Sequence, residues 1–284
     1  MNKTLTLNAD VLLKMKRLRV LRVIYHSNCH DLVYLSNELQ LLDWTGFSLK
    51  NLPSNFQPEN LVALLLSHSN IEQPWKENKS MHKLKVLNLE GSENLIKAPD
   101  FTTTPNLDTL VLKDCTRLTH VHPSIGVLKR LKLLNLKDCK SLRSLPTKIG
   151  MESLEELILS GNPKRKDKFH CSDAAFVVKL DLGGNNLISL PSCLTQLPQL
   201  GWLRLIDCKA LKSVSELPTN KLYVNIDGCT SLEIVAYPSK AFISRYSANI
   251  CNSKIWAGMV AVNCFRLAEN VDALTLLKKE LKVP

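Results

Sequence analysis

The residue types most often used to bind metals occur in this sequence without the full spacing that such a site needs. His120 and His122 could project from one side of a strand as two imidazole ligands, and His26, Cys29 and His30 also have a metal-like spacing. A structural zinc site needs four ligands and a catalytic one needs three. Neither group has the remaining ligands near it in the sequence. We therefore predict solvent-facing histidines, no metal site and no cofactor.

Sequence motifs of covalent and phosphate chemistry are missing as well. The sequence holds no G-x-S-x-G nucleophile elbow and no G-x-x-x-x-G-K-[ST] loop to cradle phosphates. No arrangement of Ser, His and Asp is identifiable, because in a repetitive chain these residues fall on separate repeats. We expect a protein that is not an enzyme and has no small-molecule substrate.

Leucine spacing organises the chain. The sequence holds 53 leucines among 284 residues, and aromatic residues make up only 6%. The pattern L-x-x-L-x-L-x-x-[C/N/S]-x-x-L recurs every 21 to 24 residues, with looser copies at both ends. The ten copies begin at Leu18, Leu39, Leu61, Leu84, Leu107, Leu131, Leu154, Val177, Leu200 and Lys221.

Each copy predicts one short strand followed by an inward turn. The L-x-L core alternates between buried and exposed side chains, which is the period of a strand. One copy cannot bury its leucines alone, so the copies must stack. The fold predicted is an α/β solenoid, a leucine-rich-repeat horseshoe with a parallel concave sheet and an irregular or short-helical convex side. We divide it into a lead-in (1–17), about ten repeats (18–234) and a C-terminal segment (235–284).

The ninth position of the repeat explains four of the nine cysteines. Cys115, Cys139, Cys208 and Cys229 occupy that position, where Asn162 and Asn185 stand in other copies. A small polar side chain there can bond to the backbone of neighbouring repeats and continue a ladder, so we predict a structural role. Five cysteines are interpreted as lying outside this column: Cys29, Cys171, Cys193, Cys251 and Cys264.

Charge and hydropathy indicate the compartment and the kind of partner. The chain carries 37 basic and 26 acidic residues, a net charge of +11. This charge suits acidic partners, but it is the only argument for nucleic acid. No apolar run reaches the roughly 18 residues of a membrane span, and no secretory signal is visible. We predict cytoplasmic residence, with the nucleus as an alternative, no membrane association and reduced thiols.

Several return segments carry a family resemblance. They read Leu52-Pro53-Ser54-Asn55-Phe56, His122-Pro123-Ser124-Ile125-Gly126, Leu145-Pro146-Thr147-Lys148-Ile149-Gly150 and Leu190-Pro191-Ser192-Cys193-Leu194. Together with the cysteine column, they resemble the repeats of plant intracellular immune receptors that have a Toll/interleukin-1-receptor-type domain and a nucleotide-binding domain. The segment Asn263-Cys264-Phe265-Arg266-Leu267 resembles the opening of the domain that follows the repeats in that family.

The resemblance implies recognition of proteins in plant innate immunity. The expected partners are a pathogen effector or a guarded host protein, and the receptor's own nucleotide-binding domain, which the family's repeats hold inactive. We expect this chain to be a fragment of such a receptor or a truncated relative. The rival hypothesis is a general repeat scaffold or substrate adaptor without an immune role.

Residues interleaved with the strand leucines form the predicted binding surface, because side chains alternate along a strand. Trp202 beside Arg204 and Tyr223 has the composition of a binding hot spot, although Trp202 could instead pack on its neighbours. The central column reads Asp43, Leu65, Asn88, Val111, Asn135, Ile158, Asp181, Arg204 and Asn225. The flanking columns add Lys113, Lys137, Glu156, Lys179, Trp202 and Tyr223.

Two further segments leave alternatives open. The basic run 164–168 is either a solvated loop or a patch for an acidic partner. Residues 272–281 have helical spacing and could cap the open end of the solenoid. The alternative for this C-terminal segment is a remnant of the post-repeat domain.

Overall fold

The structure, a computed structural model, describes residues 9–24, 29, 31–75, 79–146, 151–164, 176–214, 217, 222–235, 242–243, 258–264 and 266. The chain divides into two compact units, one of residues 1–154 with 165–167 and one of residues 155–164 with 168–284. Each unit is a stack of short parallel strands.

The first unit starts with a helix, α1 (Ala9–Lys14), and continues with six strands. They lie in sequence order, and each is parallel to the next. The strands are β1 (Val20–Val23), β2 (Leu41–Trp44), β3 (Ala63–Leu65), β4 (Val86–Asn88), β5 (Thr109–Val111) and β6 (Leu133–Asn135).

The second unit has a six-stranded parallel sheet in the order β7-β8-β9-β11-β14-β13, and β10 pairs separately with β12. Strand β14 lies between β11 and β13, although it follows both in sequence. The strands are β7 (Glu156–Ile158), β8 (Lys179–Asp181), β9 (Trp202–Arg204), β10 (Ser213–Val214), β11 (Tyr223–Asn225), β12 (Ile234–Val235), β13 (Phe242–Ile243) and β14 (Gly258–Val260).

The leucine pattern produces this register. In the first unit, Leu42 pairs with Leu64, Leu64 with Leu87, and Leu87 with Leu110. All four side chains are fully buried. Every one of the ten sequence copies contains a strand in the predicted phase. The predicted leucine-rich-repeat solenoid with a parallel sheet is therefore confirmed.

A residue with positive φ follows each strand from β2 onwards in both main sheets, wherever the turn after the strand is described. At this backbone conformation an L side chain is crowded against the following carbonyl, so glycine, asparagine and aspartate are favoured. Glycine fills half of the positions, and aspartate or asparagine most of the others. The residues are Gly46, His68, Gly91, Asp114 and Asp138 in the first unit, and Gly161, Gly184, Asp207, Gly228 and Asn263 in the second.

The predicted cysteine ladder is present. The Cys139 thiol donates to the Leu112 carbonyl at 3.0 Å, and the Cys229 thiol donates to the Leu205 carbonyl at 3.1 Å. The Asn185 amide makes the equivalent bond to the Leu159 carbonyl at 2.9 Å. Each of these three residues thus donates to a buried carbonyl of the preceding turn, which confirms the structural role predicted for the ninth position.

The interpretation that Cys264 lies outside the cysteine column is wrong. Strand β14 pairs with β11, and the Cys264 thiol donates to the Ile226 carbonyl at 3.2 Å. Residues 258–264 therefore form one more strand and turn in the repeat geometry. Cys29 is buried but belongs to no such pair among the described residues.

Within the described ranges, the outer sides carry little regular structure, as predicted. Short 3-10 helices lie at Pro58–Asn60, Pro123–Val127 and Ser192–Gln196. None of the described helices has the length and apolar character needed to cross a membrane. Several sequence interpretations lie outside the described residues: most of the 164–168 run, the 272–281 helix, and His26, His30, Cys171 and Cys251.

Candidate protein-recognition surface

The predicted binding residues lie on the solvent face of each sheet, which we define as the strand face opposite the buried leucines. On the first unit these are Asp43, Leu65, Asn88, Val111 and Asn135, with Lys113 and Lys137 just beyond the strands. On the second unit they are Ile158, Asp181, Arg204 and Asn225, together with Glu156, Lys179, Trp202 and Tyr223. Most are half-buried, whereas Lys179 is exposed and Asp181 is only 7% exposed.

Four side chains of the central column accept hydrogen bonds from the backbone just beyond their own strands. The side-chain oxygen of Asn88 accepts from the backbone N–H of Glu90 at 2.9 Å. The side chains of Asn135 and Asn225 likewise accept from the backbone N–H of the residue two positions later. The Asp181 carboxylate accepts from the N–H of Gly183 at 2.9 Å. Each bond gives the backbone N–H just beyond the strand a side-chain acceptor in place of a carbonyl of the neighbouring strand. The central column is therefore partly structural, a role that the sequence analysis did not assign.

Charged groups on the solvent face of the first unit are largely paired. Lys113 lies 2.6 Å from the Glu90 carboxylate and 3.5 Å from that of Asp114. The hydrogen bond to Glu90 raises the pKa of Lys113. Arg22 and Asp43 lie 2.8 Å apart. The predicted binding residues Lys113 and Asp43 of this face are thus each paired with an opposite charge.

The second unit repeats this pairing around its aromatic residues. Lys179 lies 3.7 Å from the Glu156 carboxylate, and the Arg204 guanidinium lies 3.6 Å from that of Asp181. Because Arg204 is 41% exposed, it retains donors that point to solvent.

Trp202 and Tyr223 stack on adjacent strands. Their ring centroids are 6.4 Å apart and the ring planes differ by 9°. Burial of the Tyr223 hydroxyl, with a smaller effect of the Asp227 charge, raises the pKa of Tyr223. Trp202 therefore does pack on a neighbour, yet both residues remain only half-buried. The lateral packing and the exposed aromatic surface, which the sequence left as alternatives, occur together.

The described histidine pair, His120 and His122, contacts hydroxyl groups of neighbouring residues. The His122 ring contacts the Ser124 hydroxyl at 2.7 Å, and the His120 ring contacts the Thr119 hydroxyl at 2.9 Å. Within the described ranges, no three side chains of His, Cys, Asp or Glu come together in a metal-binding group.

A pocket of about 240 Å³ lies on the outer side of the first unit. Its walls are mainly apolar and include Leu52, Phe56 and Trp75. The Lys79 ammonium at its rim donates to the carbonyls of Ser54 and Phe56, at 2.5 and 2.7 Å. The described lining residues thus offer apolar surface and an ammonium group that already donates to backbone carbonyls. They include no pair of groups suited to acid–base chemistry.

Comparisons with known proteins give the relatives of this chain. No family model matches it. Disease resistance protein RPP2A of Arabidopsis thaliana is 36% identical over 190 residues, which cover 66% of this chain and 14% of that protein. TMV resistance protein N of Nicotiana glutinosa is 32% identical over 241 residues, with coverages of 76% and 21%.

The solved structures that match include the functional domain of InlJ from Listeria monocytogenes, with 16% identity, a TM-score of 0.41 and coverage of 94% of this chain and 53% of that one. The chain spans only about a seventh to a quarter of the length of its curated relatives. The repeat architecture and the sequence matches identify the chain as a leucine-rich-repeat homologue of plant disease resistance proteins of the Toll/interleukin-1-receptor-type nucleotide-binding class.

Proposed function

We propose that this chain is a non-catalytic protein-recognition module of a plant innate immune receptor, acting inside the cell. Its ligand is a pathogen effector or a guarded host protein, and the solvent faces of the two units are the binding surfaces. The support comes from the homology to disease resistance proteins and from the way the repeats display side chains on short, regularly spaced strands.

The observation that carries this proposal is the cluster of Trp202, Tyr223 and Arg204. Stacked aromatic rings beside a partly exposed guanidinium have the composition of an energetic hot spot in protein interfaces. The two rings restrict each other, and the Asp181 carboxylate attracts the guanidinium. Binding therefore costs less side-chain entropy at this cluster than it would at unconstrained side chains.

A catalytic role for the solvent faces has less support. The carboxylates of Asp43, Glu90, Glu156 and Asp181 lie beside cations of the same face. Each of these carboxylates is thus already engaged by a neighbouring cation. Together with the absence of catalytic motifs from the sequence, this favours binding over catalysis.

A second role concerns the rest of the receptor. In the family that this chain resembles, the repeats restrain the nucleotide-binding domain until a ligand arrives. Ligand binding must then favour the released state over the restrained one, since a ligand with equal affinity for both states shifts nothing. We propose that this chain takes part in the same restraint, through a surface that the ligand competes for or distorts.

The test of the recognition surface is a pull-down from plant tissue with and without pathogen challenge. The bait is the chain itself, beside the triple variant Trp202→Ala, Arg204→Ala, Tyr223→Ala. The matched control, Ile188→Ala, Lys209→Ala, Lys212→Ala, changes three exposed residues elsewhere in the second unit. Capture of a foreign protein by the chain and the control but not by the triple variant supports the proposal. Equal capture by all three contradicts it.

The restraining role has its own test. A cognate nucleotide-binding domain is added in trans and its association with the chain is measured. Association that survives the triple variant would indicate restraint through another surface. If no association occurs, the restraining role fails for this chain, while the recognition role is still judged by the pull-down.

A further inference from the structure

Four exposed basic residues that form no ion pair with a described carboxylate lie on one flank of the first unit. We define the basic flank as Lys97, Arg117, Lys140 and Arg143, which follow the ladder position in three successive turns. All four side chains are exposed. Glu93 is the one exposed acidic residue among the described residues of the same three segments, 93–97, 116–120 and 140–144. The flank therefore has an excess of positive charge.

The backbone of the basic flank is an ordered ladder. The N–H of Thr119 donates to the Ile96 carbonyl at 2.9 Å, and the N–H of Arg143 donates to the Thr119 carbonyl at 3.1 Å. Parallel bridges also join Lys97 to His120 and His120 to Ser144. Parallel chains lie about 4.8 Å apart, so the backbone segments that carry the cations are held at a short and regular spacing.

The basic flank differs from the solvent face in how its charge is compensated. Lys113 and Lys137 on the solvent side lie beside the carboxylates of Glu90, Asp114 and Asp138. By contrast, no carboxylate of the described residues lies within 4.0 Å of a basic-flank side chain. Of the acidic groups near the flank in sequence, Asp114 and Asp138 face lysines, and Asp100 faces His122. The flank therefore carries positive charge that no described carboxylate compensates at short range.

We propose that the basic flank binds a carboxylate-rich surface of a protein partner. Two of its cations are arginines, whose guanidinium groups can bind carboxylates through two parallel hydrogen bonds. Ile96 lies among them, 44% exposed, and supplies apolar surface that a protein partner can cover. This surface is separate from the Trp202 cluster, so the inference goes beyond the proposed function.

The composition of the basic flank favours protein over nucleic acid. Proteins that bind single strands combine cations with aromatic rings on which bases stack. The described flank segments contain no phenylalanine, tyrosine or tryptophan. A phosphodiester backbone would pair with the cations but would not cover the exposed apolar side chain of Ile96.

The experiment measures binding of the full chain to fluorescein-labelled poly-L-glutamate by anisotropy, over a series of salt concentrations. The variant Lys97→Gln, Arg117→Gln, Lys140→Gln, Arg143→Gln removes the flank charge. The matched control Lys14→Gln, Lys16→Gln, Arg17→Gln, Arg19→Gln removes the same charge from exposed residues near α1. Thermal melts of all three proteins establish that the variants are folded.

We expect the flank variant to bind poly-L-glutamate about tenfold more weakly, since it loses four exposed ion pairs, each of which is weak alone. The control should change the affinity by less than about twofold, and added salt should abolish the difference between the proteins. If both variants bind poly-L-glutamate equally more weakly than the parent, net charge alone explains the loss of affinity and the proposal is overturned. The proposal is also overturned if the chain does not bind poly-L-glutamate, or if labelled RNA or DNA binds more tightly and depends on the same four residues.

Discussion

The thiol of Cys264 donates a hydrogen bond to the carbonyl of Ile226, across 38 positions of sequence. The same bond joins Cys229 to Leu205 across 24 positions. The intervening chain is longer, yet Asn263 has the positive φ that precedes each ladder residue. The ladder therefore continues into a segment whose sequence no longer shows the leucine pattern.

This relationship predicts that the Cys264 thiol stabilises residues 258–264. Cys264→Ala removes one of two donors to the buried Ile226 carbonyl, which keeps the backbone N–H of Cys229. The loss of such a hydrogen bond costs about 0.5–1.5 kcal/mol. We expect amide hydrogen exchange in β14 to accelerate severalfold. Cys264→Ser retains a donor and should exchange nearly as slowly as the parent. Equal exchange in all three proteins would show that the bond does not hold this segment.

A second prediction concerns alkaline pH and the buried thiols. Burial raises the pKa of Cys115 from its ordinary 9.0 to about 12. A group whose pKa is raised on folding stabilises the folded state fully below its unfolded pKa. This contribution is lost as the pH rises from about 9 towards 12. Between pH 9 and 10.5 the loss from one such thiol is about 2 kcal/mol.

The measurement compares urea unfolding of the parent with that of Cys115→Ser at pH 8 and pH 10.5. Serine occupies the same ladder position at Ser92, so the variant should fold, and it removes the titration of this one thiol. Lysines and tyrosines titrate equally in both proteins. We expect the stability of the parent to fall relative to the variant at the higher pH. A constant difference between the two proteins at both values would refute the prediction.

The turn after β11 gives a third prediction. Gly228 has a φ of 72°, and a Cβ atom there would collide with the Asp207 carboxylate. Gly228→Ala should therefore cost at least about 1–2 kcal/mol, the strain of a left-handed L residue. Gly201→Ala is the matched control, because its Cβ would meet Val178 at 3.9 Å, an ordinary contact. Thermal melts of both variants measure the difference, and equal losses would argue against the strained turn.

The fourth prediction separates the two roles of Asp181. Asp181→Asn keeps an acceptor for the N–H of Gly183 but loses the charge that attracts Arg204, and should cost less than about 1 kcal/mol. Asp181→Ala leaves that N–H without its partner and should cost about 1–3 kcal/mol. Chemical denaturation gives both values. Equal destabilisation of the two variants would mean that the hydrogen bond to the N–H of Gly183 makes no contribution of its own to stability.

Much of the fold follows from the sequence because one physical requirement dominates it. Leucines at the fourth and sixth positions must be buried by the neighbouring copy, so their spacing fixes both the strands and their register. The ladder role of Cys139 follows in the same way, since a buried polar position between stacked turns needs a backbone partner. The copy at Lys221 is predicted correctly although it lacks leucine at the key positions.

The last turn escapes the leucine pattern for a related reason. Around β14 the pattern positions hold Met259 and Ala261, and the spacing from the preceding copy is longer. The remaining signal is Asn263 followed by Cys264, which repeats the arrangement of Asp207 and Cys208. The left-handed position and the ladder position together would have identified this turn.

Side-chain roles on the solvent face are harder to derive from sequence. The fifth position of the repeat points to solvent whether its residue binds a partner or closes its own strand. Asn88 and Asn225 are chemically suited to both roles. Only the distance from the side chain to the backbone N–H two residues later distinguishes the two roles. The ion pairs depend on residues of different copies. Protein binding by the predicted columns stays a prediction.

The final prediction tests whether Trp202 and Tyr223 act as one unit. Stacked aromatic pairs are coupled by about 0.5–1.5 kcal/mol beyond their buried area. A double-mutant cycle of Trp202→Ala and Tyr223→Ala should therefore give a coupling in that range. The control cycle of Trp202→Ala with Ile188→Ala, an exposed residue elsewhere in the same unit, should give none. Trp202→Ala should also lower the pKa of Tyr223 towards its ordinary value, since it removes part of the burial that raises it. NMR titration with labelled tyrosine reports that change. Zero coupling together with an unchanged pKa would mean that the rings are neighbours without mutual support, and the preorganisation argument for this hot spot would fail.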